Sequence, residues 1–124
     1  MTDVTPLIPA GRQVIDSYGP TGFRVSGVAY DGAILVRPEQ TLNWPVADFA
    51  ALQPDNFAPL FGRGVEILLV GSGRRLTPLP PALRVALKGH GMVADVMDTG
   101  AACRTYNILL AEERRVAAAL FPTG

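Results

Sequence analysis

The chain contains one cysteine and one histidine, and ten of its eleven cations are arginine. A lone cysteine excludes an internal disulfide framework and fits a reducing compartment. With one histidine there is no ligand pair at zinc-finger or zincin spacing, so no metal site is expected. Surplus charge is missing too. Eleven Lys and Arg balance eleven Asp and Glu, whereas a general nucleic-acid binder needs clustered surplus cations. No run approaches the ~20 apolar residues that span a bilayer. Residues 1–19 show neither the cationic start and apolar run of a secretory signal nor the Arg-rich, acid-poor bias of a mitochondrial presequence. The expectation is a cytoplasmic protein that inserts into no membrane and meets one only through a partner.

What is present is a hydrophobic share of 48% against 18% charged residues in 124. That suits one folded domain with its own core rather than a disordered segment. The neutral total conceals an asymmetry. Residues 1–62 carry three arginines against six carboxylates, and residues 63–124 carry eight cations against five. Arginine is the better planar partner for carboxylate and phosphate. The second half therefore offers a surface for an anion or an acidic partner, unless its cations are simply spread over solvated faces.

The first half reads as β. Residues 1–13, with Pro6, Pro9 and Gly11, look like a loose arm, and residues 14–124 like one domain. Short apolar stretches at 14–18 and 23–25 flank the breakers Gly19, Pro20 and Gly22. Asp31-Gly32, between 28–30 and 33–36, is the strongest hairpin signal. Residues 41–46 suit an edge, where Pro45 is tolerated. Residues 55–61 suit a helical turn or two, weakened by Pro59.

The second half changes rhythm. Residues 65–70 are almost continuously apolar, as in a strand buried on both faces of a parallel or mixed sheet. Pro81 suits a first helical position, Leu83 and Leu87 share a face, and Gly89 or Gly91 ends that helix. Residues 92–97 form a second strand. Asp98 or Thr99 caps a helix whose Ala102, Tyr106, Leu109 and Leu110 fall on one side. Residues 116–121 form a last strand. The pattern is that of a three-layer α/β domain around a mixed sheet, preceded by a hairpin region.

Candidate chemistry is sparse. Gly71, Ser72, Gly73 and Arg74 follow a buried strand, the position at which glycine loops hold phosphates. Rossmann and P-loop spacings are both missing, and Pro78, Pro80 and Pro81 separate this loop from the next helix, which favours a connecting turn. Cys103 lies early in the second helix beside Arg104, where dipole and cation would both favour thiolate. A packed, inert cysteine is the alternative. His90 lies across a strand from Cys103 and could pair with it only if the fold brought their loops together. Trp44, Phe49, Phe57 and Phe61 form core or, alternatively, an exposed patch for a partner.

In order along residues 14–122, several pieces resemble one family of small domains. They are Ile15 to Tyr18, Gly22-Phe23, Ile34 to Pro38, Asn43-Trp44, Glu66 to Gly73, Asp95 to Asn107 and Glu113 to Leu120. That family includes the complex I (NADH:ubiquinone oxidoreductase) assembly factor 3 group, with uncharacterised bacterial and archaeal members. The resemblance implies a three-layer α/β fold with a mixed sheet of about five strands, the last antiparallel to the others. It implies a non-catalytic role with a protein partner, such as complex I subunits or another assembly factor. It carries no catalytic residue and no cofactor. Pro54 and Pro59 stand where the mitochondrial relative looks more helical.

Two functions compete. One is a non-catalytic interaction protein that assists assembly of a respiratory NADH dehydrogenase. The other is a small-molecule or anion-binding protein, or a weak enzyme, using Gly71, Ser72, Gly73, Arg74, Asp98, Thr99, Cys103 and Arg104. Open α/β sheets bind ligands beyond the carboxyl ends of parallel strands, and that edge would unite these residues. Homo-oligomerisation through the aromatic patch is a third use.

Overall fold

The computed structural model describes residue 8 and residues 10–124. The arm expected over residues 1–13 lies largely outside the described residues. The described chain runs β1 (Ile15–Tyr18), β2 (Gly22–Val25), β3 (Val28–Asp31), β4 (Ile34–Arg37) and β5 (Gln40–Asn43). Two 3₁₀ segments, Phe49–Ala51 and Pro54–Leu60, lead to β6 (Ile67–Gly71), α1 (Pro81–Gly89), β7 (Val93–Met97), α2 (Thr99–Ala111) and β8 (Val116–Leu120). Strands β1-β2-β3 make a small antiparallel sheet, and β5-β4-β8-β6-β7 make the central mixed sheet.

The mixed five-stranded sheet is the one expected, but its orientation differs in one respect. The last strand, β8, pairs parallel with β6 and antiparallel with β4. The strand that runs against the rest is therefore β4, whose other neighbour β5 is also antiparallel to it. The crossovers account for this. The α1 connection steps from β6 to β7, and the α2 connection steps back over β6 to β8. Helical crossovers return the chain in the direction it left, so β8 must run with β6. Because the two steps have opposite sense, right-handed crossovers place the two helices on opposite faces of the sheet.

A second departure concerns Asp31-Gly32. It joins no hairpin, since β3 belongs to the small sheet and β4 to the central one. Gly32 turns the corner between them at a φ of +79°. The tight hairpin is instead at Ser26-Gly27, where Val25 faces Val28. Their φ values of +46° and +81° match the two positive angles of a type I′ turn. Burial explains the switch. Ile34, Leu35 and Val36 are all buried, whereas Val28 and Ala29 are exposed. Only the central sheet can cover both faces of β4.

Period-two alternation sorts the central strands into two cores. Leu35, Leu68, Val70, Ala117 and Ala119 point to one side, under Leu83 and Leu87 of α1 and Phe57 and Leu60 of the 3₁₀ segment. Ile34, Val36, Leu69, Val116, Ala118 and Leu120 point to the other, under Ala102, Cys103, Tyr106 and Leu110 of α2. The small sheet closes that second core with Ile15, Phe23 and Val25. Trp44, Phe49, Phe57, Phe61 and Phe121 belong to the first. Trp44 packs edge-on against Phe121 at 5.3 Å and tilted against Phe57 at 5.2 Å. Its Nε1–H donates to the Asn56 carbonyl at 2.7 Å. Trp44 and Phe57 are thus core and offer no exposed patch, while Phe49 and Phe61 are half-buried against them.

Every residue of β8 is buried, and three of the five are alanine. Small side chains in a strand covered on both faces let the layers approach closely. Ala118 lies beneath α2, so Ala118→Leu forces extra methylenes into a filled layer. We expect a loss of about 1–3 kcal/mol by urea denaturation. A variant as stable as the parent would show that this layer is loosely packed.

Candidate functional site

β6 and β7 are parallel neighbours, with Leu69 opposite Asp95 and Gly71 opposite Met97. The loops that follow them therefore emerge at one edge, from which α1 and α2 depart to opposite faces. Open α/β sheets bind ligands at such a switch point. Gly71, Ser72, Gly73, Asp98 and Thr99 are all brought to this edge.

Here the crevice is filled by the chain's own residues. The Thr99 hydroxyl accepts from the Gly73 N–H at 2.9 Å and donates to the Phe121 carbonyl at 2.6 Å. The Thr99 N–H donates to the Gly73 carbonyl at 2.8 Å, and the Ser72 N–H to the Met97 carbonyl at 3.0 Å. Ser72 Oγ donates to the Arg75 carbonyl and accepts from the Thr77 N–H. Asp98 is the N-cap of α2, its carboxylate accepting from the Ala101 N–H at 2.9 Å. A Cβ on Gly71 would come within 2.8 Å of Leu120 and 2.9 Å of the Thr99 hydroxyl. Tyr18 covers the start of α2, with its hydroxyl 2.5 Å from where a Gly100 Cβ would stand. Of the eight candidate residues of this edge, Arg74 and Arg104 are exposed and the other six are buried or half-buried.

Cys103 lies in the second core. Burial pushes its thiol up to about 12, with the Arg104 guanidinium pulling it down and the Asp98 carboxylate pushing it up by smaller amounts. Desolvation outweighs the neighbouring cation, so the neutral thiol is the form present at neutral pH. A cavity of about 350 Å³ borders it, lined also by Tyr18, Arg104 and Asn107. Asn107 is engaged on both sides of its amide, accepting from the Ile15 N–H and donating to the Ile15 carbonyl. His90 caps the far end of α1 and stacks on Phe61 at 3.7 Å. It precedes β7 while Cys103 follows it, and the two lie on opposite faces of the sheet. The fold does not bring them together.

The amino ends of β6 and β8 form a second site, which the sequence analysis missed. A cavity of about 290 Å³ there is lined by Arg12, Arg37, Arg63, Arg114 and Arg115, with Glu39 and Glu113. These residues come from the segment before β1, the end of β4 with the turn after it, the approach to β6 and the α2–β8 turn. The only signal in the sequence was the preference for arginine. Among the described residues, no group of three or more His, Cys, Asp or Glu side chains could share a metal ion.

Thr99 holds the filled crevice together, and Thr99→Val removes its hydrogen bonds while keeping its shape. It leaves the Gly73 N–H and Phe121 carbonyl unpaired, each costing about 1–3 kcal/mol. A loss of roughly 2–5 kcal/mol is expected by urea denaturation, and a change within error would mean that the loops do not depend on this hydroxyl. Alkali acts through the second core. Cys103 is raised from 9.0 to about 12, and Tyr106 is raised as well. The folded state thus keeps protons that the unfolded chain releases above pH 9, so stability falls as pH rises from 9 to 12. Denaturation midpoints should decline over that window, with a shallower decline in Cys103→Ala. An equally steep decline in that variant would exclude the thiol as a contributor.

Residues 15–121 match the family model described as a protein of unknown function (DUF498/DUF598). The chain is 42% identical over 114 residues to an uncharacterized protein of Rhodobacter capsulatus, covering 91% of this chain and 87% of that protein. It is 35% identical over 111 residues to NADH dehydrogenase (ubiquinone) 1 alpha subcomplex assembly factor 3 of Danio rerio, covering 88% of this chain. That match spans 64% of the Danio rerio protein. Among solved structures, a Bordetella pertussis protein described as a Mth938-like domain superposes with a TM-score of 0.82 at 30% identity, covering 99% of this chain and 94% of that one. The match runs from β1 to the residue after β8, through both sheets and both helices, and on that extent the chain belongs to the DUF498/DUF598 family.

Proposed function

We propose that this protein is a non-catalytic interaction protein that assists assembly of the respiratory NADH:ubiquinone oxidoreductase. The observation that carries the reading is the 35% identity, over 88% of this chain, to a protein named for assembly of that complex. A second support is chemical. The switch-point groups that would make a ligand or catalytic site are used within the fold, and Cys103 is a neutral buried thiol. An interaction role of this kind calls for an exposed and specific surface rather than a nucleophile, since function resides in the site and not in the fold.

Within this reading the partner contact is the edge formed by Gly71, Ser72, Gly73, Arg74, Asp98, Thr99, Cys103 and Arg104. Thr99, Gly73 and Cys103 shape it from inside, while the exposed Arg74 and Arg104 offer guanidinium forks to carboxylates. The partner is then an acidic segment of a complex I subunit or of another assembly factor. Arg74, like its neighbour Arg75, follows a glycine turn fastened on both sides, so it projects from a fixed base.

Deleting the gene from its native host is expected to lower the amount of assembled NADH:ubiquinone oxidoreductase in membranes and the NADH oxidation that depends on it. Restoring the parent gene should recover both, and the double variant R74E/R104E should recover neither while remaining folded. Unchanged complex content after deletion would sink the assembly role. Full recovery by R74E/R104E would keep the role but move the contact elsewhere.

A further inference from the structure

We infer that the arginine-lined cavity at the amino ends of β6 and β8 binds a small, multiply charged anion bearing phosphate or carboxylate groups. This inference stands apart from the assembly reading and rests on a different end of the sheet.

Five arginines meet there from four separate segments of the chain. Glu39 accepts from Arg12 at 3.0 Å and from Arg37 at 2.8 Å, so one carboxylate is shared between two guanidiniums. Arg115 reaches Glu66 at 3.3 Å, but both side chains are mostly exposed and the pair is screened by water. Arg63 and Arg114 make no ion pair among the described residues. Arg37 is largely covered, and its Nε–H is buried without an acceptor.

The charges do not cancel. Two lining carboxylates, Glu39 and Glu113, face five guanidiniums. The C-terminus of α2 adds only about half a negative charge. Arg114 and Arg115 would suffice to complement that helix end, which leaves Arg12, Arg37 and Arg63 unexplained by it. Like charges gathered in a concave site repel one another, and an anion is the partner that relieves them. Guanidinium forks favour phosphate and carboxylate oxygens, which can accept two parallel hydrogen bonds.

The floor narrows the class further. Leu110 and Val116 are buried beneath the arginines, so the site joins an apolar base to a cationic rim. A volume of about 290 Å³ is at the small end for ligand sites and suits a compact metabolite-sized anion. Glu113 sits at the rim with a φ of +60°, in the left-handed region that a non-glycine residue rarely adopts. The turn it makes carries Arg114 and Arg115 around toward the cavity.

The test is an amide-resonance titration of the ¹⁵N-labelled full chain with pyrophosphate in one arm and citrate in the other, at matched ionic strength. Saturable shifts are expected at Gly64, Val65, Arg114 and Val116, and the arm that saturates at lower concentration identifies the oxygen chemistry. The double variant R63Q/R114Q alters two exposed side chains and should weaken binding at least about tenfold, or about 1.4 kcal/mol. Its other resonances should stay in place. The control R74Q/R104Q, with the same change of charge at the other edge, should bind as the parent does. Absence of saturable shifts in both arms would overturn the inference, as would an equal loss of affinity in the control.

Discussion

The pairing of β8 with both β4 and β6 is the constraint on which the rest of the molecule depends. The strand holds the antiparallel β4–β5 pair on one side and the parallel β6–β7 pair on the other. Without it the central sheet falls into two pairs of strands, each with an unprotected edge. It also separates the two cores, with Ala117 and Ala119 facing α1 and Ala118 facing α2. The run of alanines sacrifices some apolar area per residue. In exchange, helix and strand approach closely enough to exclude water from both faces.

The same strand decides what becomes of the sheet's two ends. Its continuation carries Phe121 and Pro122 across the carboxyl edge, where the Phe121 N–H donates to the Gly71 carbonyl and the Phe121 carbonyl accepts from Thr99. The switch-point crevice is thereby occupied by the chain itself. At the opposite edge the approach to β8 is the Arg114-Arg115 turn, and a cationic cavity remains. The crevice between the loops after β6 and β7 is filled here, while the amino ends carry a cavity lined by arginine.

The second half of the fold was legible because its signals are local. The apolar run around β6, Pro81 at the first position of α1, a cap of α2 at Asp98 or Thr99 (Asp98 in the structure) and the buried β8 each follow from neighbours in sequence. The first half was less so. Asp31-Gly32 has the composition of a hairpin turn, yet the burial of Ile34 to Val36 on both faces overrode it and sent β4 to another sheet. Turn chemistry records a change of chain direction but not which strand lies beyond it. Strand orientation is illegible for a similar reason, since the antiparallel member is fixed by crossovers and not by composition.

The candidate residues divide along the same line. The switch-point loops were found because their glycines and cap lie within a few residues of strand ends. The arginine cavity was not, because Arg12, Arg37, Arg63 and the 114–115 pair are spread over a hundred positions, and only tertiary structure brings them together. The site draws cations from both the acidic and the basic half of the chain, so the net charge of neither half points to it. Net neutrality is compatible with a local cationic excess because the carboxylates are distributed differently in space. Asp16 accepts from the Gly27 N–H in the small sheet, and Asp48 and Asp98 accept from N–H groups at the starts of their helical segments. Such carboxylates are committed to backbone donors and line no part of the arginine cavity. What distinguishes the two sheet edges is therefore which polar groups the fold consumes. At the carboxyl edge the loop hydroxyls, the Asp98 carboxylate and the backbone groups they meet are paired within the chain, while at the amino edge guanidiniums outnumber the lining carboxylates.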